Sequence, residues 1–233
     1  MPKSSRQAGQ NIRELADKRR LKAIGSFVSA GLIIFCPFFL VKAFENFLKP
    51  ISSVNRSQQQ FSLNLPPILY VFLVIIALGL IVKGISLWKL ANRADQGAKG
   101  EEDTAQVMSE LQQEGWQIEY GMRLGNKLGD ADIICISPQN KAYVIDVKSH
   151  RGEVTTDGKQ LYRRMGKTSD PFEKDFLAQS MKQALQVKKQ KNLSFVTPIV
   201  AFSDAKVSVP SGKVQKVYVV EKAKLISLLK SLG

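Results

Sequence analysis

The chain has 233 residues, with 34 Lys or Arg against 20 Asp or Glu, for a net charge of +14. That length allows one or two domains with a real core. One histidine and two cysteines exclude a multi-histidine metal centre and a disulfide framework. The charge is uneven. Residues 1–93 carry 13 basic against 3 acidic side chains, whereas 94–233 carry 21 against 17. The basic excess therefore lies beside the apolar segments, where it bears on membrane orientation.

Residues 1–22 form a basic N-terminal segment with seven Lys or Arg and a short helical pattern around Ile12, Leu15 and Leu21. Mobility is expected there. Residues 23–41 are 19 uncharged positions, which as a helix approach the ~30 Å hydrocarbon core of a bilayer. A second uncharged run covers 65–82, with apolar character continuing to Leu90 and with Pro66 and Pro67 at its start, where a missing N–H costs least. Both runs are apolar on every face, which favours membrane spans over helices of a soluble core. A cleaved signal peptide is disfavoured for the first run, which exceeds the roughly 7–15 apolar residues of such signals and is followed by a second run.

The expectation is a two-span hairpin over 23–90, in contact with the lipid bilayer, with an external loop at about 42–64. Seven basic residues precede the first run, and Lys83, Lys89, Arg93 and Lys99 follow the second. The loop holds only Lys42, Lys49 and Arg56. This bias places both termini in the cytoplasm. Cys36 in the first run and Cys135 in an apolar strand read as packing residues.

Residues 91–100 are small and polar, a short linker or helix start. From Glu101 the pattern changes to that of an α/β domain, with boundaries at 94–233. A helix is expected over 101–114 and strands over 116–120, 131–137 and 142–149. A hairpin of 152–156 and 160–164 turns at Asp157-Gly158. A polar helix follows at about 171–191, then strands at 195–202 and 214–220 and a closing helix over 222–229.

The chemistry concentrates in residues 129–148, GDADIICISPQNKAYVIDVK. Asp132 opens one strand. Asp146 lies late in the next, with Lys148 two positions on and so on the same face. Two neighbouring carboxylates repel unless a cation lies between them, and hard oxygens completed by water and phosphate suit Mg²⁺. The Asp-x-Lys tripeptide recurs at Asp157–Lys159 and Asp204–Lys206, so its apolar strand context singles out the first copy. Asp130 is a competing acid, expected on the opposite face. His150 reads as incidental. Lys182, Lys188, Lys189 and Lys191, with Arg151, Arg163 and Arg164, either contact phosphates or form a solvated face.

Gly97-x-x-Gly100-Glu101 opening a helix, Asp132 beginning a strand, and Val144-Ile145-Asp146-Val147-Lys148 followed by Gly152 together resemble the NERD (nuclease-related) domain, a branch of the PD-(D/E)xK nuclease superfamily. The resemblance covers about residues 94–220, through Gln179 to the strand at 197–203. It implies a restriction-endonuclease-like mixed sheet flanked by helices. It also implies metal carboxylates Glu101, Asp132 and Asp146, a catalytic Lys148, a supporting Gln179, Mg²⁺ or Mn²⁺ as cofactor, and nucleic acid as partner. Ala131 stands where the superfamily name has Pro, and Asp146 where the family commonly has Glu. Two functions follow as expectations: a membrane-anchored nuclease, or a non-catalytic module of the same fold that binds nucleic acid or protein.

Overall fold

The computed structural model describes residues 7–52, 66–125 and 128–233. Much of the expected external loop lies outside them. The chain divides into two compact units, one of Leu15–Arg93 and one of Met1–Glu14 together with Ala94–Gly233.

Two long helices, α1 (Gln10–Ser52) and α2 (Pro67–Gln113), supply the first unit. Each is long and apolar enough to cross a membrane. Large apolar side chains such as Phe35, Phe39 and Phe72 are 58–65% exposed, an arrangement that suits lipid and not water. The buried positions are small; besides Ser26 they are Ala16, Ala23 and Ala30 in α1, and Ala77, Gly84 and Ala91 in α2. Each series repeats every seven residues, the spacing that keeps one helix face against a neighbour and lets backbones approach closely. Accordingly, a Cβ added at Gly84 would strike the Phe27 ring at 2.6 Å. Helix α1 begins at Gln10, inside the segment expected to be mobile. Residues 91–100, expected as a linker or a helix start, are helical throughout, so α2 runs unbroken into the expected 101–114 helix. The segment lacks proline and holds Ala91, Ala94 and Ala98, strong helix formers that offset Gly97 and Gly100.

In the second unit, six strands form a mixed sheet: β1 (Gln117–Arg123), β2 (Asp130–Ile136), β3 (Ala142–Lys148), β7 (Val196–Phe202), β9 (Lys213–Val214) and β10 (Val217–Glu221). Their order is β1-β2-β3-β7-β10-β9. β1, β2 and β3 pair antiparallel, β3, β7 and β10 run parallel, and β9 closes the edge antiparallel. Helix α3 (Phe176–Gln190) and helix α4 (Lys222–Leu232) flank it. This is the mixed α/β architecture that the resemblance implied.

The alternation of strand side chains divides the core. Ile133, Cys135, Tyr143, Ile145 and Val147 face Met108 and Leu111 of α2 and Leu225 and Leu229 of α4. Ala131, Ile134, Ala142 and Val144 face Ala184 and Val187 of α3. Burial raises the Cys135 thiol, in keeping with a packing role.

The hairpin does not extend the main sheet. Strands β4 (Gly152–Thr156) and β5 (Leu161–Met165) form a second sheet with β6 (Thr168–Pro171) and β8 (Ala205–Val207), in the order β6-β5-β4-β8. The polar helix expected from about residue 171 starts later, at Phe176, because Asp175 caps it: its carboxylate accepts the Ala178 N–H at 2.9 Å. Residues 168–171 instead add a strand to the hairpin.

Candidate metal-binding carboxylate site

The site lies where β2 and β3 part. Their ladder runs to Ile133 opposite Ile145 and stops. In β1 the pairing skips Gly121, whose φ is +61°, so Asp132 has no ladder partner on that side either. Freed from both ladders, Asp132 turns its own carboxylate to the backbone. Oδ2 accepts the Val147 N–H at 2.7 Å. Asp146, which is 1% exposed, follows Ile145 on the neighbouring strand, on the face covered by α3.

Lys148 sits two residues on and meets Asp146 closely. Its Nζ donates to Oδ1 at 2.8 Å and lies 2.7 Å from Oδ2. Oδ2 is buried without a hydrogen bond in the strict sense. The Phe176 ring, 5.1 Å from the ammonium, closes its other side, a cation–π contact that holds the lysine without adding a competing acceptor. His150 packs against Phe172 and Phe176 at 5.0 and 5.6 Å. Burial pushes its pKa down, with Arg163 and Lys148 adding to the effect.

Glu101 comes from α2 and is 8% exposed. Gly100 explains how the helix comes so near the strand ends: a Cβ there would lie 2.8 Å from Ser203 Oγ and 3.0 Å from Ser149 Cβ. The electrostatics report the crowding. Glu101 is pushed up to about 7, chiefly by burial, against the pull of the Gly9 N–H and Lys148, while Asp146 and Asp130 push further. Asp132 is raised well above the usual carboxylate range by burial, then by Asp146 and Glu101. Asp146 is also raised by burial, which outweighs Lys148. In all three burial is the largest cause, and the Lys148 ammonium offsets part of it.

By donor chemistry the set fits a hard divalent cation: three carboxylates, one with a buried oxygen free of hydrogen bonds. Among the described residues, however, no three His, Cys, Asp or Glu side chains are gathered closely enough to ligate one ion as they stand. Lys148 supplies the positive charge beside Asp146 instead.

Gln179 reaches Asp146 Oδ1 with its Nε2 at 3.4 Å, a long hydrogen bond. Gln183, one turn further along α3, is 1% exposed; its Nε2 donates to the Asp130 carbonyl at 3.3 Å, and it also helps lower Asp146. The i, i+4 spacing of the two glutamines was the sequence signal for this second residue. Asp130 does not face away as expected. It stands two residues before Asp132, and its charge reaches Glu101. Of the basic side chains, Lys191 pairs with Glu119 at 2.5 Å, and Arg164 pairs with Glu153. A separate cleft of about 420 Å³ lies beside Gly100, lined by Gln96, Lys99, Asp103, Arg151 and Asp204, and none of the three site carboxylates lines it.

Residues 96–203 match the family model of NERD, the nuclease-related domain. Comparisons with curated proteins and with solved structures gave no match.

Proposed function

We propose that the chain is a membrane-anchored, Mg²⁺- or Mn²⁺-dependent hydrolase of phosphodiester bonds in nucleic acid, with its NERD domain and both termini in the cytoplasm. The observation that carries this reading is the approach of Asp132 and Asp146 from adjacent strands to one buried place, beside Glu101 of α2 and the Lys148 ammonium. Glu101, Asp132 and Asp146 would hold the cation. When bound, such an ion neutralises phosphate charge and makes water a better nucleophile. Lys148, steadied by Asp146 and the Phe176 ring, is placed to orient the attacking water or to offset charge on a phosphoryl oxygen as the P–O bond breaks. Gln179 and Gln183 tie the carboxylates to α3. The basic N-terminal segment and the basic residues after the second span support the orientation.

A second reading has one observation in its favour. Lys148 already neutralises Asp146, as it would in a module that binds nucleic acid without cleaving it. The deciding experiment incubates the purified full chain in detergent with mixed DNA and RNA substrates and Mg²⁺ or Mn²⁺. Cleavage that is abolished by chelation supports the hydrolase. Metal-independent binding without cleavage supports the module.

A further inference from the structure

The segment ahead of the first candidate span packs on the carboxylate site, and the proposed function assigns it no role. Gly9 donates its N–H to Glu101 Oε2 at 3.1 Å across 92 residues of sequence. Asn11 Nδ2 donates to Asp130 Oδ2 at 2.7 Å. Arg13 forms a two-pronged pair with Glu102, the residue after Glu101. Three successive odd-numbered positions thus engage three acids in or next to the site. Gly9 also requires glycine on two counts. Its φ is +74°, and a Cβ would lie 2.8 Å from the Ala98 carbonyl oxygen.

We propose that residues 7–13 form an integral strap of the NERD site, in which Gly9 is a positioning residue that holds Glu101 for the divalent cation and Asn11 one that fixes the neighbouring Asp130. The idea rests on the proposed function for the identity of the ligand. The physical reason is geometric. Glu101 projects from a helix whose glycine lets it press against the strand ends, and its carboxylate needs a fixed donor to settle in one orientation. The Gly9 N–H is that donor. It lies just ahead of α1, whose first-turn amides have no partner within the helix, and the helix dipole there favours an anion.

Asn11 secures Asp130 at the start of β2. Asp130 is close enough for its charge to act on Glu101, so fixing its carboxylate steadies the surroundings of the one that Gly9 holds. Gly9 is also the first member of the seven-residue series of buried small residues that continues through Ala16, Ala23 and Ala30.

The test uses the full chain in detergent micelles, with Mn²⁺ binding followed by electron paramagnetic resonance and amide hydrogen exchange followed over residues 7–13 and 98–103. In the wild type both stretches exchange slowly. Gly9→Ala is expected to speed exchange in both and to weaken Mn²⁺ binding about tenfold. Arg13→Glu is expected to act in the same direction. Combining it with Glu102→Arg restores the pair with reversed charges and is expected to recover both readouts, which a general loss of folding would not do. Slow exchange retained in Gly9→Ala and Arg13→Glu would overturn the docking. Unchanged or tighter Mn²⁺ binding, with exchange accelerated, would overturn the positioning role and make the strap an inhibitor or a bystander. A wild type that binds no Mn²⁺ would refute the metal role of both site and strap, while the exchange data would still decide whether the strap docks.

Discussion

Glu101→Gln separates stability from function at the site. The substitution keeps the side chain's length and its oxygen acceptor for the Gly9 N–H, and removes only the ionisable group. In the folded chain the Glu101 carboxyl is raised from 4.5 to about 7, mainly by burial. Between those values the folded state holds more protons than the unfolded state. Stability therefore falls as pH rises through that window and levels off above it. The displacement corresponds to on the order of 3 kcal/mol of folded-state penalty once the group is fully ionised.

Without divalent metal, Glu101→Gln is expected to be more stable than wild type by that order at pH 8, and by less than about 1 kcal/mol at pH 5. Denaturant titrations in detergent, read from Trp116 fluorescence in a Trp88→Phe background, measure the difference. Mg²⁺ should then reverse the ranking, because binding to the folded state stabilises wild type more than a variant with one ligand fewer. An equal gain at both pH values, or a loss at pH 8, would refute the account of Glu101 as a carboxylate kept ionised against its surroundings.

Other substitutions probe the same group. Asp146→Asn is expected to weaken Mg²⁺ binding in calorimetry and abolish cleavage. Asp157→Asn should spare both, since that carboxylate ties the hairpin through the Lys159 and Gln160 N–H groups and the Tyr162 O–H. Lys148→Ala should slow cleavage about 10²-fold while preserving metal binding, the loss typical of one electrostatic stabiliser. It should also lower stability by about 3–5 kcal/mol at pH 8, because Asp146 is left buried without its counter-charge. Reporter fusions test the orientation. One placed after Gly233 is expected to behave as cytoplasmic and one within residues 52–60 as exported, and the reverse pattern would remove the domain's access to cytoplasmic nucleic acid.

The elements that were legible in the sequence are those with strong local signals. The apolar, β-branched runs around Ile133–Cys135 and Val144–Val147, and the Asp157-Gly158 turn, mark β2, β3 and the β4–β5 hairpin to within a residue or two. Length and uniform apolarity mark the two candidate spanning helices. What escaped depended on partners distant in sequence. Residues 168–171 have no strand signal of their own and become β6 only because β5 offers an open edge at Met165 opposite Thr168. The hairpin forms a separate sheet because β4 pairs with β8, a three-residue strand some 50 positions later. The helix through 91–100 was obscured by its glycines, whose permissiveness reads as linker when the surfaces they press against are unknown.

The site shows the same division, and the reason lies in how charge is organised. Asp132, Asp146 and Lys148 were visible because a polar side chain inside an apolar strand is conspicuous. Glu101 was visible only through the glycines ahead of it. The residues that hold these groups were hidden, because each does its work through a backbone atom, a ring or a small surface. Gly9 acts through an N–H and the absence of a Cβ, Phe176 through its ring face, and Gln183 through burial on a helix that looks merely polar. One pattern could have exposed the strap: glycine or alanine at 9, 16, 23 and 30, matched by alanine or glycine at 77, 84, 91 and 98 in descending order. Two antiparallel helices sharing a seven-residue small face have few close registers. Gly9 and Ala98, three residues from Glu101, meet as such a register requires, within the compact unit that holds the carboxylate site.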